Sequence, residues 1–118
     1  MTAMGDSAYS RITSSPLLRE LYRELLDLLD PLGNYEVQTK KSALHITHGP
    51  AFLGVQARDD GLLLTIVTDT ALDGDRVRRT EQVAAGLTHN EVLVTVSADF
   101  DDELAGWLAA AYRRTGSS

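Results

Sequence analysis

The sequence predicts an α+β domain in which a mostly antiparallel sheet of five or six strands packs against an N-terminal and a C-terminal helix. Three observations favour this class. Apolar residues recur every three or four positions near both ends of the chain, as on one face of a helix. Between them, from Ser42 to Asp69 and again over residues 92–96, they alternate or form short runs, as in strands. Asp60-Gly61 joins two of these runs with a hairpin signal.

Length and composition are typical of one globular domain. The 118 residues are 43% hydrophobic, which is enough for a single packed core. No apolar run approaches the roughly 20 residues of a membrane span, and the polar N-terminus is not typical of a secretory signal. The absence of cysteine excludes disulfides and thiolate chemistry and fits a cytoplasmic location. The net charge of −6 disfavours a nucleic-acid partner, because phosphates repel an acidic surface.

The N-terminal part divides into an arm and a helix. Residues 1–14 are small and polar without a period, so we expect a mobile arm, with the domain spanning residues 15–115. The first helix is predicted to begin at Ser15-Pro16, because a serine hydroxyl suits the N-cap and proline the first helical position. Its apolar stripe consists of Leu18, Leu21, Leu25, Leu28 and Leu32, and Leu17, Leu26 and Leu29 widen it.

The central strands follow from period-two patterns. Residues 62–68 are apolar on both faces, so we place this strand at the centre of the sheet. Strict alternation puts Phe52 on the face opposite to Leu53. If both helices cover one face, the other face carries Phe52 or Leu63 and Val67 and stays open. An open apolar face of this kind indicates a homodimer contact or a ligand groove.

The C-terminal third contains one ambiguous segment and one well-marked helix. Residues 76–85 have no clear period, so strand and helix are equal alternatives on propensity alone. Valines alternating over residues 92–96 predict a strand. Asp99 is the expected N-cap of the last helix, where carboxylates are favoured by the helix dipole. The buried stripe of that helix is predicted to be Leu104, Trp107, Leu108, Ala111 and Tyr112.

The order of these segments resembles a known family. A helix LYRELLDLL precedes the strands KKSALHI, AFLGV and GLLLTIV, then residues 72–79, and the chain closes with VLVTVSADFDDELAGWLAAAY. In order and spacing they resemble the uncharacterised bacterial domain of unknown function 5655 family, from Pro16 to Arg114. The resemblance implies a small α+β domain with flanking terminal helices, and a strand rather than a helix over Arg76 to Val83.

The resemblance implies no reaction, because the family has no settled activity. Related domains are often found appended to other modules or next to DNA-handling proteins, which implies binding or an accessory role rather than chemistry. The family's basic residues at the first core strand are matched by Lys40 and Lys41, and its aromatic residue at the next strand by Phe52. Near Asn90 this chain has less histidine and basic character than the family.

Basic residues near predicted strand ends indicate an anion site, since guanidinium groups fit carboxylate and phosphate oxygens. We expect a groove for a small anionic ligand or a peptide, formed by Lys41, Phe52, Arg76, Arg78, Arg79 and His89. The alternative is a solvated face on which Arg78 or Arg79 pairs with Glu81.

No catalytic set, metal site or cofactor motif is predicted. His45 and His48 are three residues apart and face opposite sides of a strand, so they cannot share a metal ion without a bend at Gly49. A histidine base at His45 or His89 would need a second polar group within hydrogen-bond reach. The sequence therefore predicts a small cytoplasmic binding module without membrane association. The alternative is a structural domain that acts as a homodimer or as an accessory to DNA-handling machinery.

Overall fold

Three helices and six strands build residues 7–115, the part of the chain that the computed structural model describes. The helices are α1 (Ala8–Ser14), α2 (Pro16–Leu29) and α3 (Asp102–Thr115). The strands are β1 (Glu36–Thr39), β2 (Leu44–Thr47), β3 (Ala51–Ala57), β4 (Leu62–Thr68), β5 (Val77–Ala84) and β6 (Leu87–Val94). Short 3₁₀ turns at Asp30–Leu32 and Ser97–Asp99 follow α2 and precede α3. The predicted α+β class is confirmed.

The six strands form one antiparallel sheet in the order β1-β2-β3-β4-β6-β5. β4 lies between β3 and β6, as its apolar pattern predicted. β5 pairs with β6 at one edge, so the strand that the family resemblance implied for Arg76 to Val83 is confirmed over the helix.

All three helices pack on the same face of this sheet. The strands contribute Leu62, Leu64 and Ile66 of β4 and the valines of β6 to the core. α2 buries Leu18, Leu21, Leu25 and Leu29, and α3 buries Leu104, Leu108 and Ala111. The spacing of apolar residues in both helices thus predicted their buried sides; in α2, Leu29 is fully buried and Leu28 is partly buried against the core.

Helix α1 lies within the segment that was predicted to be an irregular arm. Ala8 and Ile12, four residues apart, are fully buried in the core. Ser7 caps the helix by accepting from the Ser10 N–H at 3.0 Å, and Ala8 N–H donates to the carbonyl of Lys40 at 3.2 Å. Residues 8–14 are therefore helical and packed on the core, because two apolar side chains are enough to dock one short helix. Residues 1–6 lie outside the described residues.

A buried asparagine holds the loop after β4. Asn90 is fully buried on the helical face, where its amide nitrogen donates to the Ile66 carbonyl at 2.9 Å and the Thr68 hydroxyl at 2.8 Å. Its amide oxygen accepts from Leu72 N–H at 2.9 Å. One side chain thus satisfies polar groups that burial would otherwise leave unpaired.

The N-terminus of α3 is capped by a different aspartate from the one predicted. Asp101 accepts from the Leu104 N–H at 3.0 Å, which is the N-cap bond. Asp99 accepts instead from the Thr95 and Val96 N–H groups at 2.8 and 3.2 Å. The prediction of Asp99 as the cap is wrong because the 3₁₀ turn Ser97–Asp99 delays the start of the helix.

Candidate functional site

The sheet face opposite the helices is the open face, and its centre carries Leu63, Thr65 and Val67 of β4. On β6 these residues pair with Leu93, Glu91 and His89 respectively. No described helix packs on this face. Leu63 and Val67 are nevertheless only 5% and 6% exposed, because their strand neighbours flank them on both sides. Of the two sequence alternatives, Leu63 and Val67 therefore belong to the open face and Phe52 does not.

A groove of about 420 Å³ runs across one end of the open face. Its floor is low because Gly54 has no side chain and its neighbour across the strands is the short Thr65. His45 lies beside Gly54 on β2, and His89 lies beside Val67 on β6. We call this feature the histidine groove; the further residues around it are Pro50, Ala51, Leu53, Leu87 and Arg114.

Arg114 closes the end of the histidine groove. It projects from the last turn of α3, where its guanidinium donates to the Asp69 carboxylate at 2.9 Å and to the Gly86 carbonyl at 3.1 Å. This arginine joins the helix, the end of β4 and the β5–β6 turn. Its side chain is 23% exposed, and the Asp69 carboxylate neutralises much of its charge.

The lining of the histidine groove differs in charge from the rest of the chain. The whole sequence has 17 acidic and 11 basic residues, yet no aspartate or glutamate lines this groove. Three nitrogen-bearing side chains do: His45, His89 and Arg114. Within residues 7–115 neither histidine has a side-chain hydrogen-bond partner. The imidazoles are therefore free to donate to an incoming group.

Phe52 is buried on the helical side of the sheet. Thr47 pairs with Ala51 while Ile46 pairs with Leu53, so Phe52 is the extra residue of a β-bulge. The bulge turns its ring away from the open face and against Tyr112 of α3, edge to face at 5.4 Å between ring centroids. Strict alternation was wrong at this position, and a fully buried Phe52 cannot form the floor of a surface groove.

Arg76 faces inward and ties the start of β5 to the start of α3. Its guanidinium contacts the carboxylates of Asp101 at 2.8 Å and Glu103 at 3.2 Å, and donates to the Asp99 carbonyl at 2.6 Å. It also lies 5.8 Å from the ring centroid of Trp107. We call this group of contacts the Arg76 staple. The two carboxylates neutralise the cation, which makes it a poor anion ligand.

The other predicted basic residues do not converge. Lys41 is exposed in the β1–β2 turn, where its carbonyl accepts from Arg11. Arg78 is exposed at a bulge of β5, and Arg79 pairs with Glu81 at 3.5 Å, as the solvated-face alternative predicted. Of the residues predicted for the anion site, only His89 lines the histidine groove.

Sequence reasoning missed the importance of Gly54 and Thr65. A glycine inside an apolar strand was a usable signal, because such a position often marks a close approach to its face. Its meaning depends on register, since only the pairing of β2, β3 and β4 brings His45 next to Gly54 and Thr65. Within the described residues, no group of three or more metal-ligating side chains occurs.

Comparison with known families gives one match. Residues 10–115 match the family described as a domain of unknown function (DUF5655). The chain belongs to this family. No curated protein and no solved structure matches it significantly. Among the described helices, none is long and apolar enough to cross a membrane.

Proposed function

We propose that this DUF5655 domain is a binding module whose histidine groove takes a small organic anion with an apolar portion. The observation that carries the proposal is the lining of the groove, which lacks carboxylates in an acidic chain and presents the imidazoles of His45 and His89, with the Asp69-paired Arg114 at its end. An anion is favoured there because imidazole and guanidinium N–H groups can donate to its oxygens. The net charge of −6 disfavours the same anion elsewhere on the chain as a whole.

The apolar part of the ligand is matched by the floor and end of the groove. Val67 and Leu87 offer carbon surface between the polar walls, and Ala51 and Pro50 extend it. Burying apolar ligand surface contributes about 25 cal/mol per Å². In an open groove, both this apolar contribution and the hydrogen bonds to the anion are small. At about 0.5 kcal/mol per non-hydrogen atom, a six-carbon carboxylate would bind with a Kd of about 1 mM.

A homodimer through the open face is the second candidate, since Leu63, Val67 and Leu93 lie together there. With a strand spacing of about 4.8 Å and a rise of about 3.3 Å per residue, the six strands give the whole face a flat area of about 600 Å². A stable interface buries about 800 Å² on each partner. β1 and β2, at one side of the sheet, have only four residues each, so the face is narrowest there. A small ligand therefore fits this face better than a second copy.

The test is an NMR titration of amide resonances with hexanoate, 1-hexanol and hexylammonium, each up to about 20 mM, well above the expected Kd. We expect hexanoate to shift the Gly54 and Thr65 amides and to bind more tightly than the equally long alcohol. Gly54→Val should weaken hexanoate binding by about tenfold or more, because the valine side chain fills the groove. A Cβ at Gly54 would lie 3.5 Å from the Thr65 Cβ, an ordinary contact, so the smaller change Gly54→Ala should fold, and urea denaturation checks that Gly54→Val does so as well.

Arg79→Ala is the matched control, because it removes a cation from the same sheet outside the groove. It should leave hexanoate binding unchanged. The proposal is wrong if the alcohol binds as well as the carboxylate, or if Gly54→Val has no effect. Light scattering on the same samples tests the second candidate, since a concentration-dependent dimer disrupted by Leu93→Glu would favour assembly. A short DNA duplex in the same titration tests the accessory role that the family resemblance implies.

A further inference from the structure

A second cavity, of about 350 Å³, lies on the helical face of the sheet beside edge strand β5. Thr80 and Gln82 are exposed there, so this part of the face is not covered by a helix. The cavity shares no lining residue with the histidine groove, which lies on the opposite face. We call it the threonine pocket; its lining residues are Asp69, Thr70, Ala71, Thr80, Gln82 and Thr88. Its volume is at the small end of the range of about 300–1,000 Å³ found for small-molecule sites.

The strand register brings three polar side chains together on the floor of the threonine pocket. Gln82 is the direct cross-strand partner of Thr88, and Thr80 is the partner of Asn90. Asn90 is buried on the helical face, and residues two apart on a strand share a face, so the other three side chains point to that face as well. Opposed side chains have Cβ atoms about 5 Å apart, and residues two apart on a strand are separated by about 6.6 Å. All three therefore lie within reach of one small ligand.

The loop after β4 forms the wall of the threonine pocket. The Leu72 N–H donates to the amide oxygen of Asn90 at 2.9 Å, so the loop crosses the helical face directly beside the floor. At the start of the loop, Asp69 accepts from Arg114 at 2.9 Å, and the same guanidinium donates to the Gly86 carbonyl at 3.1 Å. The wall is thus fixed by hydrogen bonds that leave the side chains of the floor unused.

The hydroxyl of Thr88 is an independent sign of a ligand. The residue is only 4% exposed, and its hydroxyl has no hydrogen-bond partner within residues 7–115. The hydroxyl of its cross-strand neighbour Thr68 is already engaged, because it donates to the Thr70 carbonyl at 2.5 Å and accepts from Asn90 at 2.8 Å. An unpaired buried hydroxyl is costly, so a ligand that bonds to Thr88 would recover that cost.

We infer that the threonine pocket binds a small neutral ligand with neighbouring hydroxyl groups, such as a cyclitol or a monosaccharide. The threonine hydroxyls and the Gln82 amide can both donate and accept hydrogen bonds, as the hydroxyls of such a ligand do. Asp69, the charged residue of the lining, is paired with Arg114, so the pocket offers no unpaired charge to an ion. The remaining lone pairs of its carboxylate can still accept from a ligand hydroxyl.

The first test is an NMR titration with myo-inositol, cyclohexanol and cyclohexylammonium, which share one six-membered carbon ring. Each is added up to about 50 mM, because a ligand of this size in an open pocket is expected to bind with a Kd of about 3 mM. The Thr80 and Thr88 amides should shift, and myo-inositol should bind about fivefold more tightly than cyclohexanol, or better, through its additional hydrogen bonds. Equal binding of these two, or tighter binding of cyclohexylammonium, would overturn the inference. The Gly54 amide reports separately on the histidine groove, so failure at either site leaves the other untouched.

The second test separates binding from folding with Thr88→Val, which keeps the shape of the side chain but removes its hydroxyl. Because that hydroxyl is unpaired in the free protein, the variant should unfold at a urea concentration no lower than the wild type does. Its affinity for myo-inositol should nevertheless fall about fivefold, as for one neutral hydrogen bond, and Gln82→Leu should have a similar effect. Thr39→Val, at an exposed position of the opposite edge strand β1, is the matched control and should bind as the wild type does. The inference fails if Thr88→Val retains full affinity, and also if it loses stability, since its hydroxyl would then be paired within the fold.

Discussion

Gly61 lies so close to β6 that no side chain can be placed on it. A Cβ at this position would overlap the carbonyl oxygen of Val94, a backbone atom that cannot move without breaking the sheet. Its φ is not among the positive values found at Gly33, Gly49, Gly74 and Gly86. Glycine is required here by close packing of two strands, and not by the left-handed conformation that a tight turn often needs.

Gly61→Ala should therefore destabilise the fold by about 1–3 kcal/mol, the usual cost of overpacking. The matched control is Gly106→Ala in α3, where a Cβ would meet nothing within 4 Å. That change should stabilise the protein by about 0.5–1 kcal/mol, because alanine favours the helix. Urea denaturation of the two variants measures both values. A Gly61→Ala variant as stable as the wild type would contradict the packing argument.

Predictions of which single side chains are buried succeeded for the helices, where burial follows from the helix's own repeat. Leucine spacing identified the buried sides of α2 and α3, because a helix repeats its own geometry. Phe52 could not be placed, because its orientation depends on a bulge created by pairing with β2. Most of the residues predicted for the anion site do not lie together for the same reason: strand register, which the sequence does not encode locally, decides which side chains become neighbours.

At the level of elements, the Arg76 staple couples edge strand β5 to α3. The pKa of Asp101 is lowered from its ordinary value of 3.8 by the bond from the Leu104 N–H and by Arg76. A carboxyl whose folded-state pKa is depressed stabilises the fold above its unfolded pKa, and this contribution is lost as the pH falls through the folded value. The staple should hold at neutral pH and weaken in acid.

Asp101→Asn should be less stable than the wild type at pH 7, and the difference should shrink as the pH falls below 3.8. Asparagine still caps a helix, so the change isolates the charge facing Arg76. Urea denaturation at pH 7 and at about pH 3 measures the difference. Asp59→Asn, in an exposed turn with no described ion pair, should show no such dependence. A difference that grows in acid would refute the assignment.

At the level of the whole molecule, the helices cover much of one sheet face, and the candidate binding sites lie where no helix covers the sheet. The fold class and the central place of β4 could be predicted, because composition and period determine which elements are apolar on both sides. The sites could not, since each combines residues from several strands. His45, Gly54 and Thr65 meet only across three strands, and Thr88 meets Gln82 only through the pairing of β5 with β6.

The packing of α1 bears on how much chain the domain needs. A chain that began at Ser15 would retain α2 and the sheet but would expose the core surface covered by Ala8 and Ile12, which are both fully buried. Ile12→Ala should cost about 2–5 kcal/mol, the usual range for removing a buried isoleucine side chain. Tyr9→Ala, on the exposed side of the same helix, is the control and should change stability by less than about 0.5 kcal/mol. Chemical denaturation of both variants measures the difference in their free energies of unfolding.

If Ile12→Ala were as stable as Tyr9→Ala, α1 would contribute nothing to the core and the domain would begin at residue 15. If it is destabilised as expected, α1 is part of the folded unit, in agreement with a family match that already begins at residue 10.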